Sequence, residues 1–146
     1  MKITSSVFAD NEKLPQKYSC DGDAINPPLS FSEVPSGAKS LALIMYDPDA
    51  PSGMFVHWII WNLPPSILGI EEGQSPNAVI GAGSSGKNAY MGPCPPSGSH
   101  RYIFELYALD NMLNIGPDSG RETLLKTIGG HIVGKSTLTS TYERGA

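Results

Sequence analysis

Two short segments carry the residues whose types and spacing could do chemistry. The first, Asp47-Pro48-Asp49-Ala50-Pro51, is followed by His57; the second runs from Tyr90 to Tyr102 and ends in His100, Arg101 and Tyr102. Pro48 and Pro51 stiffen a turn that holds two acids. Asp47 or Asp49, folded back toward His57, would orient the imidazole and favour its charged form. An ordinary Asp-Pro turn before a surface histidine is the competing reading. In the second segment Gly92, Pro93, Pro95 and Pro96 deny regular structure, so a rigid loop delivers His100 and Tyr102 to the start of a strand. Alternate strand residues share a face, so His100 and Tyr102 point to one side, and an imidazole and a phenol so placed can both donate to one small anion. Arg101, on the other side, reads as a structural or salt-bridging residue. The Asp47/His57/His100 set could also serve a hydrolase as base and orienter, but no nucleophile or metal set accompanies it, so a binding protein rather than an enzyme is expected.

Three apolar runs must position these groups: Ser40 to Tyr46, His57 to Leu63 and Tyr102 to Leu109. Their nearly continuous hydrophobicity predicts central strands covered on both faces. Weaker strands are expected at Ile3 to Phe8, Leu29 to Phe31, Val79 to Gly81 and Ser136 to Tyr142. About seven short strands point to an all-β sandwich or barrel. One helix is predicted over Arg121 to Ile128, with Ser119 and Glu122 at capping-box spacing and Gly129 and Gly130 ending it. Too short to stand alone, it must pack on a sheet.

The 146 residues suit one domain, 1–146, and the 16 Gly and 13 Pro are spread along the chain rather than gathered in a linker. A net charge of −4, with no long Lys/Arg run, argues against nucleic acid as a partner. No run reaches the ~20 apolar residues of a membrane helix, and Asp10 and Glu12 precede any signal-like stretch, so a cytoplasmic protein without a transmembrane segment is expected. In that compartment Cys20 and Cys94 are expected to stay reduced. Charged residues at only 16% suggest a surface partly covered by a partner. The glycines of Gly81-Ala82-Gly83-Ser84-Ser85-Gly86 match a dinucleotide fingerprint but precede no helix. His131 lacks a ligand-spaced companion for zinc. Ser52, Ser97 and Ser99 sit in no nucleophile elbow. No cofactor or metal is therefore expected.

The residues DPDAPSG…HW from Asp47 to Trp58 and YMGPCPPSGSHRY from Tyr90 to Tyr102 together resemble the two signature regions of the phosphatidylethanolamine-binding proteins, also called Raf kinase inhibitor-like proteins. Leu14 to Phe31 and His131 to Arg144 resemble the opening and closing segments of the bacterial and archaeal members, so the likeness spans nearly the whole chain. The resemblance implies a Greek-key β-sandwich of two antiparallel sheets with one short C-terminal helix. It also implies a pocket at the sandwich end that takes phosphate, a carboxylate or a phosphoryl head group. Residue by residue, the pocket acid falls on Asp47, the loop proline on Pro51, the two histidines on His57 and His100, the tyrosine on Tyr102 and the loop glycine on Gly92. Cys94 stands where many eukaryotic members carry another glycine at the pocket mouth. The resemblance further implies a regulator or inhibitor of a kinase or serine protease, commonly a homodimer in the prokaryotic branch.

Overall fold

A computed structural model describes residues 1–145, leaving only Ala146 outside. Nine strands form two sheets. In chain order they are β1 (Lys2–Thr4), β2 (Glu12–Lys13), β3 (Leu29–Ser32), β4 (Ser40–Asp47), β5 (Phe55–Leu63), β6 (Gly69–Ile70), β7 (Val79–Ile80), β8 (His100–Leu109) and β9 (Ile132–Tyr142). A three-stranded sheet has the order β1-β3-β6, and a six-stranded sheet the order β2-β9-β8-β4-β5-β7. Every ladder is antiparallel except the two-residue pairing of β2 with β9.

The three apolar runs are the three adjacent central strands, and their alternation explains why they read as continuous. Leu41, Leu43 and Met45 of β4 pack toward the small sheet with Phe31, while Ala42 and Ile44 pack toward the helix with Leu124 and Ile128. Both faces are therefore buried, the small sheet on one side and the helix on the other. The helix, α1, spans Arg121–Ile128 as expected, but its N-cap is Gly120 and no side chain caps it. Ser119 lies one residue too early, its carbonyl accepting the Ala82 amide at 3.0 Å. Glu122 therefore sits at the second helical position rather than the third, and the expected capping box does not form. The N-terminal strand covers only Lys2–Thr4, short of the expected Ile3 to Phe8.

One irregularity in the β4/β5 ladder matters for function. Met45 pairs with Trp58 but Tyr46 pairs with Val56, so His57 is an extra residue on β5. Such a bulge re-aims a side chain that regular alternation would send to the other face. Val56 packs on the helix side and Trp58 on the small-sheet side. The inserted residue puts His57 beside Trp58's side of the sheet, where Asp47, His100 and Tyr102 also lie.

Candidate functional site

Because β4 runs antiparallel to both β5 and β8, the end of β4 and the beginnings of its two neighbours meet at one edge of the large sheet. That edge walls a cavity of about 140 Å3. Asp47 comes from the last position of β4, His57 from the bulge and His100 and Tyr102 from the start of β8; Pro51, Gly92 and Cys94 complete the wall from two loops. All seven residues expected from the sequence thus border one space. Sequence reasoning missed Phe55, whose ring lies 4.9 Å from that of His57, and Met91. Strand alternation could have found Phe55, which pairs with Asp47 and so shares its face.

The four chemical groups are almost wholly buried: Asp47 is 3% exposed, His57 5%, His100 8% and Tyr102 1%. The acid serves a different histidine from the one expected. Asp47 Oδ2 accepts from His100 Nδ1 at 2.7 Å, while Oδ1 accepts the Asp49 amide at 2.7 Å. His57 Nδ1 instead donates to the Met91 carbonyl at 2.7 Å, and the Met91 amide returns a bond to the His57 carbonyl at 3.1 Å. Cross-strand neighbourhood, not nearness along the chain, chose the partner. Asp49 is also withdrawn from His57: it takes the Arg101 backbone amide and clasps the Arg101 guanidinium with both oxygens at 2.9 and 3.0 Å. This gives Arg101 the salt-bridging role expected of it, and the guanidinium holds the Asp49 carboxyl down to about 2.

Electrostatics follow from burial. Desolvation pushes the His57 imidazole below its ordinary value, outweighing the Met91 carbonyl and the Asp47 charge, which act the other way. Desolvation, reinforced by Asp47, drives the Tyr102 phenol far upward, so it remains a neutral donor. The rings of His57 and Tyr102 meet edge to face at 5.3 Å, which fixes their mutual orientation.

The loop wall is tied down from behind. Cys20 and Cys94 form a disulfide with Cα atoms 5.4 Å apart, correcting the expectation of two free thiols. Two further bonds hold the same segments together and explain why the thiols meet: the Cys20 amide donates to the Pro93 carbonyl at 3.0 Å, and the Tyr90 hydroxyl to the Tyr18 carbonyl at 2.8 Å. Gly92 is needed for this close approach, since a Cβ there would lie 2.9 Å from the Tyr18 carbonyl oxygen. His131 lies elsewhere, paired with Asp110 at 2.8 Å on the surface, and no group of three or more potential metal ligands occurs among the described residues.

The profile of the family described as phosphatidylethanolamine-binding protein matches residues 4–143. A UPF0098 protein of Methanothermobacter thermautotrophicus is 47% identical, over 99% of this chain and 100% of its own length. Another from Chlamydia muridarum is 45% identical over 99% of each chain. Among solved structures, a putative phosphatidylethanolamine-binding protein homolog from Chlamydia trachomatis superposes with a TM-score of 0.95 at 44% identity, covering 98% of this chain and 97% of that one. E. coli YbcL gives 0.90 at 28% identity, with 97% of each chain covered. A carboxypeptidase Y inhibitor solved with its cognate proteinase shares the fold at a TM-score of 0.55 and 21% identity, covering 97% of this chain and 82% of that one. The sequence motifs, the two-sheet architecture and these matches converge: the chain belongs to the phosphatidylethanolamine-binding protein family.

Proposed function

We propose that this protein binds a small anion, a phosphate, phosphoryl or carboxylate group, between His57, His100 and Tyr102, and that it acts through that site as a regulator or inhibitor of a kinase or serine protease. The observation that carries the reading is the cavity itself. It gathers two imidazoles and a phenol, all buried, around a space of about 140 Å3, the scale of one small ligand group rather than a whole lipid. The lining has the Asp47–His100 hydrogen bond of an acid-base dyad but contains no serine, threonine or free thiol, Cys94 being in the disulfide. This favours binding over the hydrolase alternative. A protease as partner draws support from the fold relative that is an inhibitor bound to its proteinase.

A second copy of this chain is the proposed covering of part of the charge-poor surface, making a homodimer. No helix among the described residues is long and apolar enough to cross a membrane. The cytoplasm remains the proposed location, with the Cys20–Cys94 bond pulling toward an oxidising compartment. Calorimetric titration with phosphate tests the site. His100→Ala should weaken binding about tenfold or more, the worth of a charge-assisted hydrogen bond, whereas His131→Ala should leave it unchanged. Equal losses in the two variants would remove His100 from the site.

A further inference from the structure

The cavity is built from acceptors. His57 and His100 each engage Nδ1 with an oxygen acceptor, the Met91 carbonyl in one case and the Asp47 carboxylate in the other. A carbonyl oxygen can only accept, so His57 carries its proton on Nδ1 and leaves Nε2 as the nitrogen available to the cavity; the same holds for His100 against an ionised Asp47. When each ring carries only that proton, both Nε2 atoms are acceptors. Asp47 adds a buried carboxylate, and the lining contains no lysine or arginine. The Tyr102 hydroxyl is then the one side-chain donor left in the lining, and Asp47 lies near enough to compete with a ligand oxygen for its hydrogen.

The surroundings supply no compensating cation. Arg101 starts next to His100 in the chain, but its guanidinium is engaged by Asp49 on the exposed side of the strand. The other titratable neighbours are Tyr90 and Tyr142, whose phenols burial keeps protonated. Such a space disfavours an oxyanion that has no hydrogen of its own, because apart from the single Tyr102 hydroxyl its approaches to Asp47 and the imidazole nitrogens set charge against charge or lone pair against lone pair. A ligand that still bears an acidic O–H meets the opposite situation. It donates to Asp47 or to an imidazole nitrogen while another of its oxygens accepts from Tyr102.

We propose that this site selects oxyacids still carrying a proton, such as hydrogenphosphate, over oxyanions of equal charge and shape that carry none. The inference rests on the anion-binding reading above and narrows it to a ligand class. For a group that has lost its last proton, binding requires one proton to be taken up with it, onto an imidazole.

Phosphate and sulfate separate the possibilities. Near pH 8, well above the ordinary imidazole range, both are tetrahedral dianions and only phosphate keeps a hydroxyl. Calorimetric titration of the intact protein at that pH and matched ionic strength should show phosphate binding at least about tenfold more tightly than sulfate. The gap should narrow near pH 5.5 as imidazole protonation supplies donors to sulfate. In Asp47→Asn, checked for folding by thermal melting, sulfate should gain on phosphate near pH 8, since an amide replaces the repelling carboxylate. Sulfate binding as well as phosphate to the native protein near pH 8 would overturn the selectivity and leave the anion site standing. Neither anion binding at either pH would overturn both.

Discussion

Two carboxylates are buried in the central strands of one sheet, on opposite faces, and of the two it is Asp47 that lines the cavity of the candidate site. On the helix side, Glu105 is 8% exposed and accepts the Tyr46 hydroxyl at 2.6 Å through one oxygen and the Tyr107 hydroxyl through the other. Desolvation, reinforced by Glu105, pushes the Tyr46 phenol up to about 12 and raises that of Tyr107 as well. On the small-sheet side, Asp47 is equally hidden, but its partner His100 keeps a second nitrogen toward open space. A buried polar cluster whose bonds close on themselves is structural; one that ends at an unanswered lone pair beside a cavity is poised for a ligand.

That contrast can be broken experimentally at three points. The largest effect is expected from replacing both Cys20 and Cys94 with serine. A bond joining residues 74 apart contributes roughly 4 kcal/mol through loop closure, and its removal should lower the melting temperature and weaken phosphate binding together. An unchanged phosphate affinity would show that the loop wall holds its shape without the bond. Next comes Glu105→Ala, which leaves two buried hydroxyls unanswered and a gap behind them. Stability should fall by about 3 kcal/mol in chemical denaturation while phosphate affinity stays within twofold; a matching loss of affinity would mean the two faces are coupled.

The smallest effect concerns His57. Burial lowers its folded pKa, so the unfolded chain binds the proton more readily, and the ligand-free protein should lose stability as pH falls below the ordinary value of 6.5. Above that value the contribution is complete. Melting curves between pH 8 and 5 should show this slope in the native protein and a shallower one in His57→Gln.

The elements that carry the site were legible because their signals are strong and local. Ser40 to Tyr46, His57 to Leu63 and Tyr102 to Leu109 were bounded by turn residues, and the observed strands extend them by one or two residues at the cavity end. The strands β2 and β6 escaped notice because two residues cannot show a period. The identities of the lining residues were readable from the motifs and the resemblance, but the bonds among them were not. Asp47 lies ten residues from His57 along the chain, yet the ladder sets β8 on the other side of β4, and His100 is the ring that comes within bonding distance. The bulge at His57 was equally invisible, since an extra residue in an apolar run leaves the run apolar. The disulfide was misjudged because compartment was weighed and the contact between the Tyr18 and Pro93 segments could not be.

The Cys20–Cys94 bond also divides the chain topologically. It closes a ring that contains β3 to β7, with Asp47, His57 and Gly92 on it, while β8, with His100 and Tyr102, belongs to the tail beyond. To a force applied at the two termini, the ring is one inextensible knot. Its 74-residue span withholds roughly 250 Å of contour length at a little under 3.5 Å per residue. Tension runs instead through the segment before Cys20, with β1 and β2, and through β8 and β9 beyond Cys94, and at the site it bears on the seam between Asp47 and His100. The cavity is therefore a joint between a closed loop and a free tail, and stretching would part it while leaving the loop intact.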